Sequence, residues 1–315
     1  MYIIRGLQNI PSKYRGAVVT IGNFDGVHLG HQQLFYRLGS LSLKYGGAPV
    51  MAITFEPHPQ RLINPDRAPV RITNVRGKSR WMGVHGVDAM FILRFNRELA
   101  ALEPESFVKQ FLVDGIGIQQ VLVGSNFRFG AKGAGSFIDL QQLGKKYNFG
   151  VHSEPLLVAN GDAVSSTRVR NAVSQGDLKL ASDLLGRPFE IEKRVMGGKR
   201  RGRGLGFPTA NFALEGLLHP PTGVYIVEGR IDGSWLPAVA NVGRNPTFGD
   251  EGLHLEVHML SPCGDIYRRV VRVRFLKRVR EEIKFADVEA LKIQIGKDVE
   301  EAKAFFASRA VEHIQ

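Results

Sequence analysis

From residue 17 to about residue 175, apolar residues switch between two spacings. Short apolar, β-branched runs at 17–21, 49–55, 88–93, 119–123 and 151–158 read as buried strands. Between them, at 31–45, 76–84, 104–112 and 137–147, apolar residues recur every three or four positions and read as amphipathic helices. This alternation predicts a mostly parallel sheet with helices on both faces, in which ligands bind beyond the carboxyl ends of the strands. Helical stretches at 167–175 and 177–185 close the unit. From about Gly186 the pattern changes. Strand-like runs at 188–196, 223–231, 236–242, 253–260 and 266–276 follow with no helical segment between them, which predicts a compact antiparallel barrel. A last helix starts near Asp287, a suitable N-cap, with Val288, Leu291, Ile295, Val299, Ala302 and Phe306 as its packing face. The expected architecture is an α/β domain over 1–186 with a Rossmann-like parallel sheet, then an all-β barrel domain over 187–315 carrying a C-terminal helix.

Composition narrows the class. A chain of 315 residues, 43% hydrophobic and 23% charged, has enough apolar material for two soluble cores. No apolar run approaches the roughly 18 residues that span a membrane, and Met1–Asn9 lacks the layout of a signal peptide. The single cysteine, Cys263, excludes an internal disulfide and a cysteine zinc cluster. A cytoplasmic location is expected. The net charge of +12 suits either nucleic acid or polyanionic small molecules. No RNA-recognition aromatic motif, zinc-finger spacing or basic zipper accompanies it.

The densest motif follows the first strand. Gly22-Asn23-Phe24-Asp25-Gly26-Val27-His28-Leu29-Gly30-His31 is a glycine-bearing turn leading into a helix. The first N–H groups of a helix lack partners and its dipole is positive there, so a nucleotide phosphate can bind. His28 and His31 stand three apart at that helix start and point to one side. Two imidazoles there can bind phosphate oxygens and steady a departing pyrophosphate. Thr54-Phe55-Glu56-Pro57-His58-Pro59 ends the second strand, where two prolines hold Phe55 and His58 at the mouth of the site. Past the fourth strand, Asn126 is followed by Phe127 and Phe129, flat faces for a ring, and Arg128, a phosphate fork. Gly130–Gly135 reads as a mobile loop. Ser165, Ser166, Thr167, Arg168 and Arg170 open a helix as a second phosphate clamp, or, more plainly, as a serine N-cap.

The second half has its own cluster. The run from Gly198 through Gly202, Arg203 and Gly206 to Pro208 lets backbone approach phosphates while basic side chains neutralise them. Thr209 and Asn211 alternate to one side of an extended segment and offer oxygens to a magnesium ion. Asn241–Phe248 reads as a polar turn. Then His254, Glu256 and His258 share one strand face: a general base, a metal site or a solvent-facing edge, the edge being favoured.

Together these motifs resemble the bacterial bifunctional riboflavin kinase/FAD synthetase family, from Thr20 to Ala302. The segments that carry the resemblance are 20–31, 54–59, 165–170 and 205–211, with Gly223-Val224-Tyr225 and Arg278–Phe285 also matching. The resemblance implies a nucleotidyltransferase N-domain that makes FAD from FMN and ATP, and a six-stranded barrel that phosphorylates riboflavin with ATP. It implies that His28, His31 and Ser165–Arg170 bind ATP phosphates, that Asn23 and Asp25 line that site, and that Phe55, Asn126 and Arg128 contact the flavin. It implies that Thr209 and Asn211 hold Mg2+ and phosphates, and that Glu256 activates the riboflavin hydroxyl. Expected partners are small molecules, with no nucleic acid and no membrane; a homo-oligomer is left open. The alternatives are a single-activity enzyme with one degenerate domain and a nucleic-acid-binding protein. Three positions depart from the family pattern: Ser125-Asn126 where acidic residues are common, Gly77 and its neighbours where a glutamate is usual, and Arg268 where a glycine often follows Tyr267.

Overall fold

The computed structural model describes residues 1–196, 209–244 and 252–312. The chain divides into two compact units: Met1–Val70 with Val75–Ser166, and Arg71–Asn74 with the chain from Thr167 onward.

The first unit is a six-stranded parallel sheet in the order β1 (Tyr2–Arg5), β4 (Ala89–Arg94), β3 (Val50–Glu56), β2 (Val18–Ile21), β5 (Gln120–Gly124), β6 (Gly150–Glu154). The strand–helix alternation predicts this layout for β2 to β6. The edge strand β1 was not among the expected strands; its four residues pair with β4 and bury only Ile4, too short a pattern to stand out. Alternation along the strands sends Val19, Ile21, Met51, Ile53 and Phe91 to one core, and Val18, Val50, Ala52, Met90 and Leu122 to the other. Helix α1 (Leu29–Lys44) covers the second face with Leu34, Phe35 and Leu38. Short helices α2 (Gln60–Ile63), α4 (Arg97–Ala100) and α5 (Pro104–Phe107), and the longer α3 (Val75–Val84) and α6 (Phe137–Tyr147), fill the connections. The helix expected over 104–112 becomes, after α5, a π-helical stretch, Val108–Ile116, that Gly117 ends in a left-handed conformation. The expected strand over 151–158 stops at Glu154, and a two-residue hairpin, β7 (Val158–Ala159) with β8 (Asp162–Ala163), follows. Gly130–Gly135 is a folded turn rather than a loose loop: Phe129 and Gly135 exchange backbone hydrogen bonds of 3.1 and 2.9 Å.

The second unit begins with α7 (Ser166–Gln175), whose first residue belongs to the first unit, and α8 (Leu178–Leu185). Its barrel runs β10 (Thr209–Ala213), β13 (Leu253–Met259), β12 (Ser234–Arg244), β11 (Gly223–Ile231), β14 (Val270–Arg280), β9 (Glu190–Arg194). All neighbours are antiparallel. The Met196 N–H donates to the Asn211 carbonyl at 2.8 Å, so the chain after β9 meets β10 and draws the sheet toward closure. Arg71–Asn74 joins this unit through the Leu218 N–H on the Arg71 carbonyl (2.9 Å) and Asn74 Nδ2 on the Glu192 carbonyl (2.8 Å). Nothing in the periodicity signals that swap. Tyr225 is fully buried and donates to the Pro221 carbonyl at 2.6 Å; burial pushes its phenol above the ordinary value. Arg268 adopts φ of 60°, the left-handed region that glycine occupies without strain.

A helix, α9 (Val288–Glu312), packs on the barrel with Val299 and Ala302 buried against Val224, Ile226 and Val239. The Asp287 carboxylate accepts from the Ala290 N–H at 2.8 Å, the expected N-cap, whereas Val288 of the expected face is 55% exposed. Arg280, the last residue of β14, pins this helix: its guanidinium donates twice to Asp298, at 2.9 and 2.7 Å, and Asp298 is 3% exposed. Removing one partner of such a pair strands the other. Asp298→Asn should therefore cost about 3 kcal/mol. The chain has two tryptophans, so Trp235 fluorescence in a Trp81→Phe background reports the barrel alone. Its urea midpoint should fall accordingly, and an unchanged midpoint would show that the pair contributes no stability.

Candidate active sites

In the first unit the strand order reverses at β2. The chain steps outward through β3 and β4, then crosses to β5 on the other side. Connections that diverge from β2 and β5 leave their carboxyl ends uncovered, which is where ligands bind in open α/β sheets. The turn 22–28 follows β2 and the segment 125–130 follows β5, so two motifs legible in sequence flank one crevice. Phe24 and Val27 of the turn have positive φ, 48° and 44°. For a β-branched residue this is strained, of order 1–3 kcal/mol.

His28 is the N-cap of α1 and is 6% exposed. Its ring stacks on that of His31 with centroids 3.6 Å apart, and Phe24 meets His31 edge-on at 5.2 Å. Gly30 makes this possible: a Cβ there would come within 3.3 Å of the His28 ring and 3.6 Å of the Val164 carbonyl. The pair therefore presents one block of imidazole N–H capacity at a helix start with no acidic residue in its first turn. Asp25 is 4% exposed in the same turn, and its carbonyl accepts from Ser166 Oγ at 2.8 Å. That bond brings the Ser165-Ser166 motif against the turn that carries Gly22, Asn23 and Asp25. Asn23 Oδ1 is buried with no hydrogen-bond partner among the described residues. Thr167, Arg168 and Arg170 follow on α7, past the division between units.

Of the expected flavin contacts, Phe55 is half-buried and packs edge-on against Phe95 at 5.9 Å. His58 Nδ1 accepts from the Gln60 N–H at 3.2 Å, at the start of α2. Phe127 stacks on Phe129 at 5.5 Å, and Asn126 and Arg128 are exposed. Phe129 is 6% exposed and belongs to the core, so only Phe127 of that pair can face a ligand.

In the barrel, β13 lies between β10 and β12 and is not an edge. Register places Glu256 directly between Asn211 on β10 and Asn241 on β12. Thr209 lies opposite His258 in the next row, and Asn211 Nδ2 donates to Thr209 Oγ1 at 3.3 Å. Asn211 Oδ1 is buried with no hydrogen-bond partner among the described residues. His254 is 1% exposed, so the strand face that holds Glu256 does not face open solvent along its length. Among the described residues no group of three or more His, Cys, Asp or Glu could hold a metal ion, which removes the histidine–glutamate metal reading of that face. Sequence reasoning missed two residues here. Asn241 belongs to β12 and not to a turn. Glu282, after β14, reaches back so that a Cβ at Gly243 would lie 2.0 Å from Glu282 Oε1 and 3.0 Å from Asn241 Nδ2. Register brings Asn241 beside Glu256, and the return of the chain after β14 brings Glu282 near Asn241; local spacing shows neither pairing. Gly198, Gly202, Arg203, Gly206 and Pro208, and positions 245–248, lie outside the described residues.

The chain matches two family models, FAD synthetase over residues 10–168 and riboflavin kinase over 185–306. It is 44% identical to the bifunctional riboflavin kinase/FMN adenylyltransferase of Pseudomonas fluorescens, over 98% of this chain and 99% of that one. The enzyme of the same name from Escherichia coli K12 is 42% identical over 97% and 98%, and that of Haemophilus influenzae 38% over 98% and 100%. A crystal structure described as a macrolide-efflux protein from Streptococcus pneumoniae shares the fold with a TM-score of 0.82, at 29% identity over 96% of this chain and 99% of its own. Among the described residues no helix is long and apolar enough to cross a membrane.

Proposed function

Because the chain belongs to the family of bifunctional riboflavin kinase/FMN adenylyltransferases, we propose that its two residue clusters divide the two reactions. The protein phosphorylates riboflavin to FMN with ATP and adenylylates FMN to FAD with a second ATP, releasing pyrophosphate. Adenylylation is assigned to 1–186 and phosphorylation to 187–315; the matched segments, 10–168 and 185–306, support that division. The compact units part earlier, at Ser166/Thr167. The enzyme is placed in the cytoplasm, acting on small molecules without nucleic acid or membrane; a salt-sensitive gel shift or recovery with membranes would overturn this.

The observation that carries the adenylyl assignment is the stacked His28–His31 pair at the uncovered crevice. An FMN phosphate oxygen attacks the α-phosphorus of ATP in line, and the bond to pyrophosphate breaks. The FMN phosphate is already ionised, so no strong base is needed. His28 and His31 donate to phosphate oxygens and stabilise charge on the leaving group. Gly22, Asn23 and Asp25 line the ATP site, and Ser165, Ser166, Thr167, Arg168 and Arg170 bind its phosphates. Phe55, His58, Asn126, Phe127 and Arg128 hold the flavin substrate, Phe127 by its half-buried ring and Arg128 as a phosphate fork.

In the kinase the nucleophile is a neutral hydroxyl, so a base helps. Glu256 takes the proton of the riboflavin 5′-hydroxyl as its oxygen bonds to the γ-phosphorus and ADP leaves. Thr209 and Asn211 suit Mg2+: the buried Asn211 Oδ1 is an oxygen with no donor among the described residues. The ion, when bound, neutralises phosphate charge. Gly198, Gly202, Arg203, Gly206 and Pro208 are assigned to the ATP phosphates of this reaction on sequence grounds.

Replacing both His28 and His31 by alanine should abolish conversion of FMN to FAD and spare riboflavin phosphorylation. FAD formation near the wild-type rate would refute the phosphate role. Glu256→Gln keeps size and hydrogen bonding, so riboflavin binding should hold while single-turnover FMN formation drops by about 10²–10⁴-fold. Wild-type chemistry in that variant would leave alignment and phosphate neutralisation to account for the rate. A fragment of residues 187–315 should fold and phosphorylate riboflavin, checked by circular dichroism and product chromatography. An inactive fragment beside an active 167–315 would move the boundary to Ser166/Thr167.

A further inference from the structure

The strained turn before α1 is held from outside at alternate carbonyls. Thr54 Oγ1, at the end of β3, donates to the Asn23 carbonyl at 3.2 Å. Ser166 Oγ donates to the Asp25 carbonyl at 2.8 Å. Gln32 Nε2, reaching back from the first turn of α1, donates to the Val27 carbonyl at 2.9 Å. These carbonyls bracket Phe24 and Val27, the two residues with positive φ. Strained backbone persists only where its surroundings over-determine it.

A fourth residue sets the first clamp. Lys78 on α3 is 5% exposed, and its ammonium donates to Thr54 Oγ1 at 3.3 Å. An ammonium only donates, so the Thr54 oxygen accepts from Lys78 and its own hydrogen turns toward the Asn23 carbonyl. Glu56 Oε1, 3.6 Å from the ammonium, offsets the buried charge. The chain Glu56, Lys78, Thr54, Asn23 thus runs from the carboxyl end of β3 to the turn that ends in His28.

We propose that Thr54, Lys78 and Gln32 are positioning residues for adenylyl transfer, which hold the 23–27 turn in its strained form and so set the stacked His28–His31 pair against the departing pyrophosphate. The proposal rests on the histidine reading above. None of the three need touch substrate. Their effect is on the placement of groups that act in the transition state, where an error of about 1 Å can cost roughly 10²-fold. It should therefore appear in kcat and leave KM for ATP and FMN nearly unchanged.

The test compares Thr54→Val, Thr54→Ser, Gln32→Leu and His28→Ala in the full-length enzyme, with riboflavin phosphorylation measured on each preparation as control. Valine keeps the shape of threonine and loses the donor; serine keeps the donor. Thr54→Val should lower kcat for FAD synthesis by about 10- to 100-fold with KM within about twofold, and Thr54→Ser should restore most of the rate. Gln32→Leu should reproduce the loss through an independent carbonyl. Thr54→Val at near wild-type kcat, or equal losses in the valine and serine variants, would overturn the clamp. So would a parallel loss of kinase activity, which reports general misfolding. If His28→Ala keeps FAD synthesis, the histidine reading itself fails. If His28→Ala loses it while Thr54→Val and Gln32→Leu do not, the clamp alone fails.

Discussion

A parallel sheet cannot cover both sides of the strand at which its order reverses. After β2 the chain turns outward toward β3 and β4, and after β5 it runs the other way to β6. The gap between those two carboxyl ends is a consequence of connectivity, present before any side chain is chosen. The proposed adenylyl site follows from it. The turn 22–28 enters the gap with its strained residues at 24 and 27, and α1 starts there with His28 as its N-cap.

The barrel meets a different constraint. Its strands are antiparallel, so side chains that lie far apart in sequence become neighbours only through register. Asn211, Glu256 and Asn241 form one row across β10, β13 and β12. A slip of one residue in β13 would exchange Glu256 for Val257 and send the carboxylate to the opposite face. The hydrophobic alternation of β13, with Leu255 and Val257 fully buried, is what forbids that slip.

Under the proposed assignment the two residue clusters match the nucleophiles of the two reactions. One reaction joins two anions and needs positive hydrogen-bond capacity at a place held open; in the proposed assignment imidazoles, hydroxyls and a helix terminus provide it. The other must deprotonate a neutral hydroxyl and needs a carboxylate held by a rigid sheet. Both transfer phosphorus, and in both the protein's contribution is alignment and charge neutralisation.

Much of this was legible in the sequence. Local spacing determined the strand–helix alternation of the first half, the change to strands after Gly186, the Asp287 cap, and the motifs that carry the chemistry, because each depends on residues within a turn or two of one another. The tertiary structure decided what depends on distant partners. Strand β1 exists because β4 offers it a ladder, and Arg71–Asn74 belongs with the barrel because Leu218 and Glu192 take up its backbone and side-chain groups. Phe129 turns inward to Phe107 and leaves Phe127 as the less buried ring of the pair. Asn241, Glu282, Lys78 and Thr54 lie in segments the sequence marks out, but nothing in their spacing pairs them with the groups they meet. Their roles arise from contacts between strand ends and helices that are tens of residues apart, and one-dimensional periodicity holds no record of those contacts.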